Sequence, residues 1–429
     1  MILSNITVPL TGAVDTGVVG HIDGAENLAG VAVGALIFST VYFLFGFLRM
    51  STTGFAAQAL GAGDNGEIKA TLGRSLVVAL CLGCGLILLQ VPLLAGSLWI
   101  VAPSESAADV AGAYFAIRIW GAPAALVNAA MLGWFFGVGN TTVPLIVQAG
   151  LNVSNAVLSL WFVLGLGFGI EGVATATLIS EWAALGLWIV FARRHARRFP
   201  QEGPLALFKR DRLIGLFRAN RDIFLRSAGL NAGFVVFTSL GARQGDLILA
   251  ANAVLLTFQT FVAYGLDAFA HAAEALAGRA YGAGNRLAFR AANLISGLWA
   301  LCLAVALSLA LWFGGPFFIS LLTDQPDVRE TSMTYLAWSA FMPVVAVWCF
   351  QLDGIFIGAT RTRAMRDGMA LSLVLFLGAA FTLPNVMGNH GLWAALMIFM
   401  AARGGTLAAF YPQLEKDVGS RAKLECRSE

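Results

Sequence analysis

Apolar stretches long enough to cross a bilayer recur along the whole chain, separated by short polar breaks. A helix needs about 20 mostly apolar residues to span the hydrocarbon, and marking the breaks on that basis predicts twelve helices. Their limits are 1–20, 28–55, 71–101, 110–137, 143–167, 170–192, 222–241, 247–274, 291–322, 331–358, 367–385 and 391–411. The one long polar connection divides them six and six. The predicted fold is an all-α polytopic membrane protein: a lobe of six transmembrane helices over 1–192, a basic cytoplasmic linker over 193–221, a second six-helix lobe over 222–411, and a cytoplasmic tail over 412–429.

The two halves repeat each other. Slid by 221 residues, Leu28–Asp64 aligns without gaps on Leu249–Asn285 and ends in GAGD against GAGN. The same offset pairs Tyr114 with Tyr335, Gly133 with Gly354 and Gly137 with Gly358, and an offset of 219 pairs Gly169 and Gly172 with Gly388 and Gly391. Six spans in each half give both copies the same topology. Such a parallel repeat, with its axis along the membrane normal, is an architecture of transporters whose halves rock about a central cavity.

Composition agrees with a lipid-solvated chain: 58% of the residues are hydrophobic and 12% charged, against roughly 25% charged in soluble domains. Mean hydropathy is +0.78. The 48 glycines suit close helix approach in a membrane. The net charge of +3 is small, with no basic stripe for nucleic acid, and its distribution carries the information. Lys69, Arg74, the run from Arg193 to Arg221, Arg279, Arg286, Arg290, Arg361, Arg363, Arg366 and the tail lie on one side of the predicted topology, and Asp23, Glu26, Glu105, Asp109, Asp324 and Asp327 on the other. Basic loops stay in the cytoplasm, so both termini are expected there, in a bacterial inner membrane. Cys81 and Cys84 form a CxxC inside an apolar run and read as packing residues. The first stretch reads as a span, not a cleaved leader.

Ionisable groups at membrane depth are costly and are functional candidates by default. Asp15, Glu181, Asp267, Glu274 and Asp353 qualify. A rise of about 1.5 Å per residue puts Asp15 roughly 8–10 Å below the outer surface. Asn152 and Asn155 on the fifth span and Thr177 on the sixth are candidate partners, with Glu181 deeper. An isolated carboxyl there is neutral unless a cation or donors hold it ionised, so Asp15 is either a proton or cation switch or a hydrogen-bonded structural group. On the eighth span Asp267, His271 and Glu274 fall at i, i+4 and i+7, one helix face, which reads as a proton relay or, with Glu274 near the cytoplasmic end, as a face wetted there. Asp267, Asp353 and Arg226 lie in the inner halves of their spans and form either a functional or a structural charge cluster, with one negative charge in surplus. Arg118 and Arg49 are expected to snorkel to the nearer surface.

An enzyme is disfavoured: HExxH and GxSxG do not occur and the four histidines are scattered. GxxxxGK[ST] is also missing, so no nucleotide cofactor is expected. The opening VPLTGAVDTGVVGHI (Val8–Ile22) resembles the first-helix signature of the multidrug and toxic compound extrusion (MATE) family. NRDIFLRS (Asn220–Ser227), YGLDAFAHAAEALAG (Tyr264–Gly278) and QLDGIFIGAT (Gln351–Thr360) resemble its DinF-like branch. The resemblance implies two six-helix lobes around a V-shaped cavity, cation-driven export of small hydrophobic or cationic compounds by alternating access, and Asp15 as the coupling carboxylate of the first lobe. A flippase for a lipid-linked precursor on a related fold is the alternative.

Two departures from the family pattern bear on mechanism. The usual first-span proline falls ahead of Met1, so the chain is expected to lack a short lead-in. On the fifth span Asn152 is followed by Asn155 and Ala156, where the family often has an acid four residues after the Asn. A sodium site wants several oxygens with at least one carboxylate, and protonation needs no such cage. Protons are therefore expected as the coupling ion ahead of sodium, with no metal or organic cofactor and a monomer in the bilayer as the working unit.

Overall fold

Proline, glycine and side-chain caps punctuate a chain whose regular structure, among the described residues, is entirely helical. The computed structural model describes residues 25–200 and 206–425. In order, the helices are α1 (Ala25–Leu44), α2 (Phe47–Gly61), α3 (Asn65–Leu88), α4 (Gln90–Val101), α5 (Glu105–Arg118), α6 (Ala122–Gly137), α7 (Thr142–Leu160), α8 (Gly169–Ala196), α9 (Arg210–Ala242), α10 (Asp246–Gly282), α11 (Arg286–Leu322), α12 (Pro326–Gly358), α13 (Thr362–Thr382), α14 (Pro384–Met387) and α15 (Asn389–Glu425). Among the described residues, eleven helical stretches are long and apolar enough to cross a membrane, some of them two consecutive helices joined. They correspond to the second through twelfth predicted spans. The first predicted span, with Asp15 in it, lies outside the described residues.

Hydropathy located the spans but underestimated the helices. α9 starts at Arg210, so part of the basic 193–221 segment is helical, and α15 continues from the predicted limit near 411 to Glu425. The reason is that hydropathy measures the thickness of hydrocarbon, whereas i→i−4 hydrogen bonds continue wherever no breaker intervenes. In the predicted 71–101 span a breaker does intervene. Pro92 has no N–H for the Leu88 carbonyl, and the helix turns out of register at Leu89 (φ −95°, ψ 13°).

The chain divides into two compact units between Leu216 and Phe217. Their internal geometry repeats as the sequence does. Asp64 caps α3 by accepting from the Glu67 N–H at 2.8 Å, and Asn285 caps α11 by accepting from the Ala288 N–H at 2.9 Å. The preceding glycines, Gly63 (φ +69°) and Gly284 (φ +63°), take the left-handed conformation that ends α2 and α10. Inside the first unit Trp134, Phe135, Phe136 and Trp188 are fully buried, with the Trp134 indole donating to the Ile68 carbonyl at 3.0 Å. In the second unit Phe237, Leu255, Phe376, Trp393 and Phe399 form the centre.

Candidate functional site

In the first unit, α7 and α8 bring polar groups together where lipid-solvated helices would otherwise be apolar. The Asn155 amide donates to the Thr177 hydroxyl at 2.9 Å, and Thr177 donates to the Val173 carbonyl at 3.1 Å. Asn155 is fully buried and, among the described residues, its Oδ1 accepts no hydrogen bond. Asn152, one turn earlier on α7, is half-buried. One turn beyond Thr177, Glu181 is buried and receives Arg118 of α5 at 3.1 Å.

Arg118 corrects the snorkelling expectation. Its guanidinium stays inside, hydrogen-bonded to the Tyr114 hydroxyl at 3.0 Å and lying 4.8 Å from the centre of the Phe38 ring. A carboxylate, a phenol and an aromatic face compensate the charge better than a stretched path to the surface would. Gly121 makes room for this pair, since a β-carbon there would sit 2.2 Å from Glu181 Oε2. The Asn128 amide donates to the Glu181 backbone carbonyl at 3.0 Å.

In the second unit the predicted cluster forms around Asp353, with an additional member. Arg226 of α9 pairs with Asp353 Oδ2, and Arg403 of α15 reaches the same oxygen at 2.9 Å. All three side chains are buried. Asp267 is close enough to act electrostatically on Arg403 and on Cys349. Two guanidiniums thus face two carboxylates, so the negative surplus expected from sequence is absent from this group. Arg403 went unread in the sequence, although a lone arginine inside the apolar last span was the available signal.

His271 and Glu274 share the α10 face with Asp267 as predicted. Glu274, however, is 1% exposed, which corrects its reading as a wetted group. α10 runs two further turns to Gly282, and α12 crosses so closely that a β-carbon on Gly358 would lie 2.3 Å from the Glu274 carbonyl oxygen. Sequence reading also missed Asp222, buried near the start of the second unit and paired with Arg366 of α13 at 2.9 Å. A third network ties α10 to α15: the Asn252 and Asn389 amides exchange hydrogen bonds at 2.9 and 2.8 Å, and the Trp393 indole donates to Asn252 at 2.8 Å.

Internally repeated units of long apolar helices, each with a buried polar cluster at membrane depth, define a multi-pass membrane protein of the transporter class. The MatE family model matches residues 1–181 and 223–382, and the chain belongs to that family, the MATE transporters. It is 44% identical over 416 residues to DNA damage-inducible protein F of Escherichia coli K12, covering 96% of this chain and 90% of that protein. It is 31% identical over 424 residues to the chloroplastic Protein DETOXIFICATION 44 of Arabidopsis thaliana, covering 92% and 77%. The fold is similar to that of a MOP superfamily transporter from Pyrococcus furiosus (TM-score 0.87, 20% identity, 97% of this chain and 94% of that one). It is also similar to the bent form of a Vibrio cholerae MATE transporter (TM-score 0.86, 18% identity, 97% and 95%).

Proposed function

We propose that this transporter exports small hydrophobic or cationic compounds across the bacterial cytoplasmic membrane by alternating access, in exchange for protons. The observation that carries the reading is the buried polar stack of the first unit. Asn155, Thr177 and Glu181 follow one another over little more than one turn of α8 and the facing stretch of α7, with Asn152 one turn away. Asp15 on the first predicted span is the coupling carboxylate in this reading. Protonated, it rests against these groups; ionised, it draws in water or a cation, reshapes the unit and changes the affinity for the exported compound.

Proton coupling is favoured over sodium because Glu181 already faces a cation of its own, Arg118. In this reading Asp15 is the one carboxylate available to the coupling ion, where a hard-cation cage wants several oxygens around its charge. The Asp353 cluster of the second unit, with Asp267, His271 and Glu274 on the adjoining α10 face, is the second titratable region. The basic loops set both termini in the cytoplasm, and a monomer suffices for the mechanism.

Purified protein in liposomes tests the reading. Efflux of a cationic dye driven by a pH gradient in sodium-free buffer is the expected result. Strict dependence on sodium overturns the coupling assignment, and lipid scrambling without dye movement overturns the export assignment.

A further inference from the structure

At the end of the second unit turned away from the basic loops, one hydrogen bond exists in only one protonation state. The Trp338 indole of α12 donates to Nδ1 of His390, near the start of α15, at 3.0 Å. An indole nitrogen donates and cannot accept. Nδ1 therefore carries no hydrogen, and the ring is neutral with its proton on Nε2. Imidazole takes up a further proton between about pH 5 and 8, and the nitrogen that receives it is the one Trp338 occupies. Two N–H groups then face each other and the bond is lost.

The surroundings offer the charged ring a second position. His390 is half-buried, so protons reach it. The ring of Tyr335, one turn before Trp338 on α12, lies 4.8 Å from it, centre to centre, within the ~6 Å over which an aromatic face attracts a cation. The backbone has no slack to follow. A β-carbon on Gly391 would lie 2.4 Å from the Leu383 carbonyl oxygen, so release comes from rotation of the ring. Charges near it are few. The outer halves of α9, α11, α13 and α14 hold none. On α12 the nearest is the exposed Glu330, about 8 Å along the axis from Tyr335 and about 12 Å from Trp338, while Arg329 is paired with Asp324. On α10 it is Asp246, about 9 Å along the axis from Asn252. On α15 itself it is Arg403, about 20 Å further along.

The internal repeat supplies a control. The turn that precedes α15 recurs in the first unit, where Gly169 (φ +57°) stands for Gly388 (φ +55°). At the matching positions there, Ile117 stands for Trp338, the exposed Glu171 for His390, Ile170 for Asn389 and Val31 for Asn252. The turn is therefore built without any of these bonds, and architecture alone does not require them. In the second unit the start of α15 is fastened twice: to α10 by the Asn389–Asn252 exchange and to α12 by His390. Only the second fastening titrates.

We propose that His390 is a pH-sensitive fastening of the second unit. Neutral, it holds the start of α15 to α12 through Trp338. Protonated, it turns to Tyr335, gives up the indole and leaves this end of α15 held by Asn389 alone. An acid medium on the side away from the basic loops thus loosens the second unit there. The device lies in the second unit, apart from Asp15, and stands or falls independently of the exported compound or the coupling ion.

The test follows the full chain in detergent between about pH 8 and 5. With 5-fluorotryptophan in place of tryptophan, the ¹⁹F signal of Trp338, assigned by its loss in Trp338→Phe, is expected to titrate. Amide hydrogen exchange over residues 388–395, corrected for the intrinsic effect of pH, is expected to become about fivefold faster in acid, the worth of one net hydrogen bond. His390→Asn places an amide oxygen where Nδ1 stands and accepts from Trp338 at every pH, so its signal and its exchange should stay at the values of the neutral parent. Trp338→Phe should show the faster exchange at both ends of the range. A parent Trp338 signal that does not move overturns the proposal. So does a response to acid in His390→Asn equal to that of the parent, or exchange in Trp338→Phe that matches the neutral parent.

Discussion

Gly133 and Gly354, 221 residues apart, make the same contact. A β-carbon on Gly133 would lie 2.2 Å from the Arg49 carbonyl oxygen, and one on Gly354 would lie 2.4 Å from that of Ala270, and those two carbonyls are themselves 221 residues apart. One turn on, a β-carbon on Gly137 would lie 2.7 Å from the Thr53 carbonyl oxygen and one on Gly358 2.3 Å from that of Glu274. Each unit thus contains a matching helix pair, α2 with α6 or α10 with α12, whose backbones approach closely because the side chain between them is missing.

Gly354→Ala is expected to force α10 and α12 apart, because the obstructing atom is backbone. Destabilisation of about 1–3 kcal/mol is expected, the usual range for overpacking, read as a lower melting temperature in detergent. Gly186→Ala on α8, with open space around it, should leave stability unchanged or slightly raised.

Asp353 is held between two arginines, so the cluster should respond to which charge is removed. Arg403→Met leaves one guanidinium for two carboxylates and is expected to destabilise the fold by about 3–5 kcal/mol, as when one partner of a buried pair is lost. Asp353→Asn keeps the hydrogen-bonding shape. If the cluster takes part in transport, Asp353→Asn should be produced and melt like the parent while efflux falls. A loss of yield matching the loss of efflux would reduce the cluster to scaffolding.

Arg118 and Glu181 should be strongly coupled. Each of Arg118→Met and Glu181→Met leaves a buried charge without its partner, and the double variant removes both. Melting of the double variant is expected well above that of either single one, with an interaction energy of about 1–3 kcal/mol in the cycle. Additive effects would mean that the pair is solvated in the membrane.

Asp15→Asn is expected to bind the exported compound and fail to couple it to a gradient. Equilibrium binding of a fluorescent cation, measured beside drug resistance in a pump-deficient host, separates the two. Full resistance at normal expression would remove Asp15 from the coupling role.

The sequence alone determined the number and order of the described spans, their all-helical character, the internal repeat and the family. These properties are local: a run of apolar residues must be helical in lipid because every backbone group has to find its partner within the segment. Repeated glycines and caps at fixed offsets report the same local geometry twice. The candidate residues could also be listed from sequence, since a buried charge stands out in an apolar run. Only the tertiary structure decided which of them meet. Arg118 turns inward to Glu181 because α5 and α8 pack there, Arg403 joins Asp353 from 50 residues away, and Glu274 is sealed because Gly358 lets α12 come close. Pairing and burial are set by which helix faces touch, and hydropathy along one helix holds no information about the helix packed against it.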